Sequence, residues 1–140
     1  MSLEQNKALV RRFQEETWKG NVAIIDECVP PGIALGGAAD RDAWKAQVLG
    51  SLQLMPDLKF TIEEMIAEGD KVVFRWTITG THANEFPTPF GPAKPTGKQI
   101  KFTGITIHRI ENGKIVEDVF ENASLNYYIQ LGVIPTPNQA

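Results

Sequence analysis

The sequence has one cysteine and two histidines in 140 residues. One thiol cannot close an internal disulfide, so a reducing cytoplasm is the expected setting. Cys28 follows the helix-like run AIIDE and reads as a small buried hydrophobe, not a nucleophile. Two histidines far apart in the chain make a poor start for a metal site, and none is expected. An excess of one charge is also missing: 14 Lys and Arg face 17 Asp and Glu, a net charge of −3. Nucleic acid and anionic membranes usually need a concentrated basic surface, so neither is expected as a partner. No apolar run is long enough to span a bilayer, and no signal peptide is visible. There is no phosphate loop and no dinucleotide fingerprint, and Ser51 and Ser124 have no convincing triad around them.

What is there is ordinary globular material, with 42% hydrophobic residues and length for one domain over 1–140 with its own core. Leu3, Val10, Phe13 and Trp18 recur at roughly helical spacing, which predicts a helix over Leu3–Lys19, capped by Ser2 and stopped by Gly20-Asn21. A short helix over Val22–Val29 ends at Pro30-Pro31, and Gly32–Leu35 suggests a short strand. A third helix is predicted over Asp40–Leu54, capped by Asp40, striped by Trp44, Val48, Leu49 and Leu52, and stopped by Pro56.

The period then changes to two. Leu58, Phe60 and Ile62 alternate with polar residues, and Lys71–Thr81 alternates again after the turn Glu68-Gly69-Asp70. Gln99–Ile110 and Lys114–Asn122 read as two more strands. Between them, residues 84–97 hold Pro87, Pro89, Pro92 and Pro95, which argues against a regular element. Phe86 and Phe90 give that loop apolar faces, so it is expected to fold over a cavity or a neighbouring subunit. Residues 133–140 read as a frayed tail. Helices first and a strand meander afterwards predict an α+β domain, with helices on the concave face of a curved antiparallel sheet and an apolar cavity between them.

The last hairpin can be read residue by residue. A three-residue loop with Gly113 in the left-handed position pairs Ile110 with Lys114. Counting outward, His108 faces Val116, Thr106 faces Asp118, Gly104 faces Phe120 and Phe102 faces Asn122. One face then carries Phe102, Gly104, Thr106, His108, Val116, Asp118, Phe120 and Asn122, and Gly104 makes room for the Phe120 ring. The other carries Ile105, Ile107, Arg109, Ile115, Glu117, Val119 and Glu121. The apolar residues of that second face predict a homodimer.

The segments GDKVVFRWTITGTHANEF, PTGKQIKFTGITIHRIENGKIVED and QLG, in this order and spacing, resemble the SnoaL-like polyketide cyclases of the nuclear-transport-factor-2-like superfamily. The resemblance runs from the first helix to Gly132. It implies a cone-shaped α+β barrel, a homodimer, and cofactor-free acid–base chemistry on a hydrophobic carbonyl compound, the type reaction being an intramolecular aldol cyclisation. Such cyclases place a His at the position of Thr106, another at Asp118, the main acid–base Asp at Phe120 and an Asn near Ala34. None of the four is matched here.

Three polar groups remain for catalysis. Asp118, flanked by Phe120, loses solvation and can work as an acid or base, or it reaches water through the mouth of the cone. His108 shares its face and can serve as a proton shuttle, although its place near the turn favours exposure. His82, in GTH, sits at the cavity mouth or caps a strand end. Phe60, Phe74, Trp76, Phe102, Thr106, Phe120 and Asn122 are expected to line the ligand site, although Trp76, Trp44 and Phe60 also suit plain core packing. Of Tyr127 and Tyr128, one is expected packed and one exposed. Three readings follow: a cyclase-, isomerase- or lyase-like enzyme on a small hydrophobic carbonyl compound, with Asp118 as the acid–base group; a non-catalytic binder of a small apolar ligand; and a dimeric accessory module with a filled cavity.

Overall fold

The computed structural model describes residues 2–136. The expected tail therefore lies partly outside the described residues. Three helices come first: α1 (Leu3–Trp18), α2 (Ala23–Cys28) and α3 (Arg41–Leu54). The Ser2 hydroxyl accepts from the Gln5 backbone while the Gln5 side chain accepts from the Ser2 backbone, a reciprocal capping box that starts α1. The Asp40 carboxylate caps α3 through the Ala43 amide. The expected stripe on α3 holds at Trp44 and Val48 but not at Leu49, which is 44% exposed.

Four long strands follow: β1 (Lys59–Glu68), β2 (Lys71–Thr81), β5 (Gln99–Glu111) and β6 (Lys114–Asn122). They form one antiparallel sheet in the order β1-β2-β5-β6. The helices pack across one face of this curved sheet, as the order of helical and strand-like segments predicts. Val10 and Phe13 of α1 and Val48 of α3 are fully buried with Phe74 of β2 and Ile115 of β6. No described helix is long and apolar enough to cross a membrane.

Four local readings are corrected or completed. Residues 84–97 do hold regular structure: β3 (Phe86–Thr88) and β4 (Gly91–Ala93) form a small hairpin. Gly32–Leu35 is not a strand; instead Leu35 and Ala38 form an isolated bridge around Gly36-Gly37. A short helix, α4 (Ser124–Gln130), follows β6.

The fourth correction concerns the last hairpin. Asn112 and Gly113 both have positive φ, 51° and 72°, so the turn is a two-residue Asn-Gly connection and Glu111 pairs with Lys114. A bulge then leaves Val116 unpaired between Ile110↔Ile115 and Arg109↔Glu117. Beyond it, His108 faces Asp118, Thr106 faces Phe120 and Gly104 faces Asn122. The slip from the expected register is two residues beyond the bulge, so the face of Asp118, Phe120 and Asn122 is unchanged. Ile115 is the residue the bulge turns inward, and it is completely buried. Gly104 makes room for Trp76, its partner on β2, and not for Phe120.

Candidate active site

A cavity of about 440 Å3 opens between the helices and the concave face of the sheet. Its walls are largely aromatic. Trp18 stacks on Phe60, Phe60 on Trp76, and Trp76 meets Phe102 edge-on, while Phe102 stacks on Tyr127 at 4.3 Å. The run arises from strand alternation: Phe60, Trp76 and Phe102 point to the same side of neighbouring strands. The Trp76 indole N–H donates to the Thr106 hydroxyl oxygen at 3.0 Å, which satisfies a buried donor and leaves the Thr106 hydrogen free to donate elsewhere. Phe86, Pro87, Thr88 and Pro89 of the β3–β4 hairpin also line the cavity, so the proline-rich segment does cover it.

At the floor the hairpin brings His108 and Asp118 directly opposite each other. Their side chains are 1% and 5% exposed, and His108 Nδ1 lies 3.7 Å from Asp118 Oδ1. That is too long for a hydrogen bond, and neither atom has a hydrogen-bond partner among the described residues. His108 is not exposed near the turn, as position alone suggested. The bulge lengthens the hairpin end, and α1 covers the ring: Phe13 meets it edge-on and Gln14 contacts its Nε2.

Asp118 Oδ2 accepts from the backbone N–H of Gly36. The tight Leu35–Ala38 turn aims that N–H inward, with Gly36 at φ 54° and Gly37 at φ 82°. A Cβ at Gly36 would lie 2.5 Å from the Trp44 indole nitrogen, so both backbone and space require glycine. Gln47 of α3 donates to the Gly36 carbonyl and holds the turn in place.

Burial dominates the electrostatics. It pushes the Asp118 carboxyl up to about 6, against the opposing Gly36 N–H. It pushes the His108 imidazole down to about 4, against a smaller upward pull from the Glu117 backbone. At neutral pH the pair is therefore a carboxylate facing a neutral imidazole. Burial, reinforced by Tyr128, also raises the Tyr127 phenol to about 12. Among the described residues, no Lys or Arg lines the cavity, and Asp118 is its one carboxylate.

Six of the seven residues expected around a ligand line this cavity: Phe60, Trp76, Phe102, Thr106, Phe120 and Asn122. Phe74 does not; it is buried behind His108, with ring centroids 5.3 Å apart. His82 does not line it either. It is fully buried, and its ring pairs with the Thr96 hydroxyl at 3.1 Å. Tyr127 and Tyr128 both line the cavity and are both half-buried, so the expected split between packed and exposed fails. Sequence reading missed Gln14, Gly36, Gly37 and Gln47. The pair of glycines was the one visible signal, marking a turn without saying what it faced. No group of three or more His, Cys, Asp or Glu among the described residues could hold a metal ion.

A family model, the SnoaL-like polyketide cyclase, matches residues 8–125. No curated protein matches the chain. A candidate polyketide cyclase from Acidithiobacillus ferrooxidans is 28% identical, with a TM-score of 0.76 over 94% of this chain and 98% of that one. Wild-type IdmH, a candidate polyketide cyclase from Streptomyces antibioticus, is 25% identical, with a TM-score of 0.75 over 91% and 99%. AclR, a candidate hydroxylase from Streptomyces galilaeus, has a TM-score of 0.80 over 96% and 100% at 24% identity, a likeness of fold alone.

Proposed function

Because the chain belongs to the SnoaL-like polyketide cyclase family, we propose that it is a cofactor-free acid–base enzyme acting on a small, uncharged, largely hydrophobic carbonyl compound. One observation carries the reading: a desolvated carboxylate, Asp118, ends an aromatic cavity that no Lys or Arg among the described residues lines. An anionic ligand would meet Asp118 with nothing to neutralise it. A neutral ligand with flat apolar surface would meet the stacked rings.

Asp118 is ionised at neutral pH, yet holds its proton better than an ordinary aspartate. A base whose pKa lies near the working pH transfers protons in both directions with little penalty. Asp118 removes the proton from a carbon beside the carbonyl, and the C–H electron pair moves into an enolate. The Thr106 hydroxyl and the Asn122 amide are the cavity donors on the same sheet face that can meet the enolate oxygen. In a cyclisation the enolate carbon bonds to a second carbonyl carbon of the same molecule. Protonated Asp118 then returns the proton to the new alkoxide. An isomerisation returns it to a different carbon instead.

The test begins with a screen of neutral hydrophobic carbonyl compounds. Asp118→Asn keeps the shape and the Gly36 contact but cannot cycle a proton. Its kcat is expected to fall by about 100-fold or more with the fold intact. Full turnover by Asp118→Asn removes Asp118 from the chemistry. The second reading, a non-catalytic binder, is favoured by Phe120, which fills the place of the family's usual acid with apolar area. It wins if a compound binds and raises the melting temperature without being turned over.

For assembly, the structure offers a row across the outer sheet face: Ile66 opposite Val73, Val73 opposite Ile107, and Ile107 opposite Val119. Ile66 and Val119 are 57% and 50% exposed, and nearby Ile105 is 47% exposed. A homodimer through this row is part of the proposal, since the pairing would cover apolar area. Light scattering at micromolar concentration is expected to give twice the 15.5 kDa chain mass; a monomer mass rejects it.

A further inference from the structure

A glutamine on α1 points to how the His108–Asp118 pair is set. Gln14 is 5% exposed, which is unusual for a long polar side chain. Its amide oxygen accepts from the Trp18 indole N–H at 3.3 Å. Its amide nitrogen lies 2.9 Å from His108 Nε2. Gln14 and Trp18 are one helical turn apart and so share the face of α1 that looks into the cavity.

These two contacts have a direction. An indole nitrogen can only donate, so the Gln14 atom that meets it is the carbonyl oxygen. The NH2 group is then the end that meets His108, and an NH2 can only donate. His108 Nε2 must accept, so it carries no proton. A neutral imidazole has one N–H, which leaves the proton on Nδ1, the atom that faces Asp118 Oδ1 at 3.7 Å. We infer that Gln14, oriented by Trp18, is a positioning residue that locks His108 in the Nδ1–H form, so that the imidazole presents a donor to Asp118 and cannot compete with it as a base.

The surroundings leave few other influences on the ring. Phe13 of α1 and Phe74 of β2 pack against it and carry no charge. Among the described residues, Asp118 of β6 is the titratable side chain that faces it, and beside Gln14 the Glu117 backbone is a further polar group that acts on it. Tyr127 and Tyr128 complete the titratable groups lining the cavity. The consequence for catalysis rests on Asp118 being the proton acceptor of the site. The tautomer itself does not, and it can be read without any substrate.

The test is nitrogen NMR on protein carrying labelled histidine. With two histidines in the chain, a His82→Gln variant assigns the signals. In the wild type at neutral pH, His108 is expected to show a protonated Nδ1 and a bare Nε2. A protonated Nε2, or fast exchange between the two tautomers, overturns the inference. In Gln14→Leu the lock is gone: the tautomers are expected to mix, and the Asp118 carboxyl titration, followed by its carbon shift, to move upward from about 6. A purely structural Gln14 would lower the melting temperature and leave tautomer and titration where they were, which also overturns it. Gln14→Glu covers the case where Gln14→Leu does not fold. A carboxylate accepts where the amide donated, so Nε2 is expected to gain a proton; an unchanged bare Nε2 contradicts the lock. If the protein proves to be a binder without turnover, these readouts still stand or fall by themselves.

Discussion

The molecule buries both of its histidines, in two regions that use them differently. His82 follows the end of β2. Its backbone N–H donates to the Lys98 carbonyl, its carbonyl accepts from Gly97, and its ring pairs with Thr96. Backbone and ring together therefore clamp the two ends of the segment that carries the β3–β4 hairpin. His108 lies at the cavity floor, between an amide that donates to it and a carboxylate that faces it. Residue type and burial are the same in the two regions. What differs is the group opposite: a neutral hydroxyl makes a staple, and a desolvated carboxylate makes a titrating pair. Whether this contrast is real can be tested by perturbing each region and reading both.

The harshest perturbation is to the wall above His108. A Cβ at Gly104 would collide with the Trp76 indole and lie 2.9 Å from the Glu121 carbonyl oxygen. The indole cannot retreat without giving up its hydrogen bond to Thr106. Gly104→Ala is therefore expected to cost about 3 kcal/mol through overpacking. Urea midpoints measure it, and a loss below about 1 kcal/mol would show that the ring has room to move. The His82 clamp should be untouched, so proteolysis within residues 84–97 should not accelerate below the unfolding midpoint.

Next in size is the pH response of the pair. Folded Asp118 titrates near about 6 against an ordinary 3.8. As pH falls through this window the folded state holds a proton the unfolded carboxyl has lost, so this contribution makes the protein more stable. Folded His108 titrates near about 4 against an ordinary 6.5. As pH falls the unfolded imidazole gains a proton the folded one refuses, so this contribution makes the protein less stable. The two slopes oppose each other and nearly cancel. Asp118→Asn should leave the His108 slope exposed, with stability falling from pH 6.5 to 4 by on the order of 2–3 kcal/mol relative to wild type. His108→Gln should do the reverse, with stability rising by a similar amount from pH 6 to 4. Denaturant melts at a series of pH values measure both, and two profiles parallel to wild type would mean that His108 and Asp118 are not a titrating pair.

Much of this was legible in the sequence, for reasons that also explain what was not. Ser2, Asp40, Pro30-Pro31 and Pro56 punctuate helices by local chemistry, and the alternation in KVVFRWTITGT reports a buried sheet face directly. The cavity face of Asp118, Phe120 and Asn122 survived a wrong turn because the error was two residues, one full strand period. The hairpin of residues 84–97 was hidden by its prolines. In the structure Pro87 sits opposite Pro92 in a two-stranded ribbon, where an edge needs no donor. The helix α4 has no side-chain cap, and its Tyr127 packs on Phe102; this is tertiary support that a local reading cannot see. Gln14 carried no signal beyond lying one turn before Trp18. Its role depends on a strand residue 94 positions away.

At the other histidine the expected effect is smaller and of a different kind. His82→Ala removes a buried ring and its contact with Thr96, at a cost of about 2 kcal/mol. It should open residues 84–97 to proteolysis. It should not change the pH profile attributed to His108 and Asp118, because the partners of His82 among the described residues are Thr96, Gly97 and Lys98, none of them a carboxylate. A changed profile would mean that the two regions are coupled.

The smallest effect tests how the roof is held at its far end. Phe90 is 57% exposed, and its ring contact is the edge-on approach to Tyr128, with centroids 5.2 Å apart. The turn before it does not depend on that contact, since the Thr88 hydroxyl binds the Gly91 carbonyl and the Phe90 amide. The hairpin is also pinned from α3, where Phe86 packs so closely that a Cβ on Gly50 would lie 2.8 Å from its ring. Phe90→Ala should therefore cost no more than about 1 kcal/mol of stability, the worth of one aromatic pair. The roof should still close, but against a weaker stop, so an apolar ligand should leave a few times faster with little change in its rate of entry. Stopped-flow displacement of a fluorescent apolar probe measures this. The double variant with His82→Ala then completes the contrast. If the two stability costs add, the clamp and the stop are independent anchors of one flap. If they do not, the flap moves as a unit, and His82 reaches the cavity through it after all.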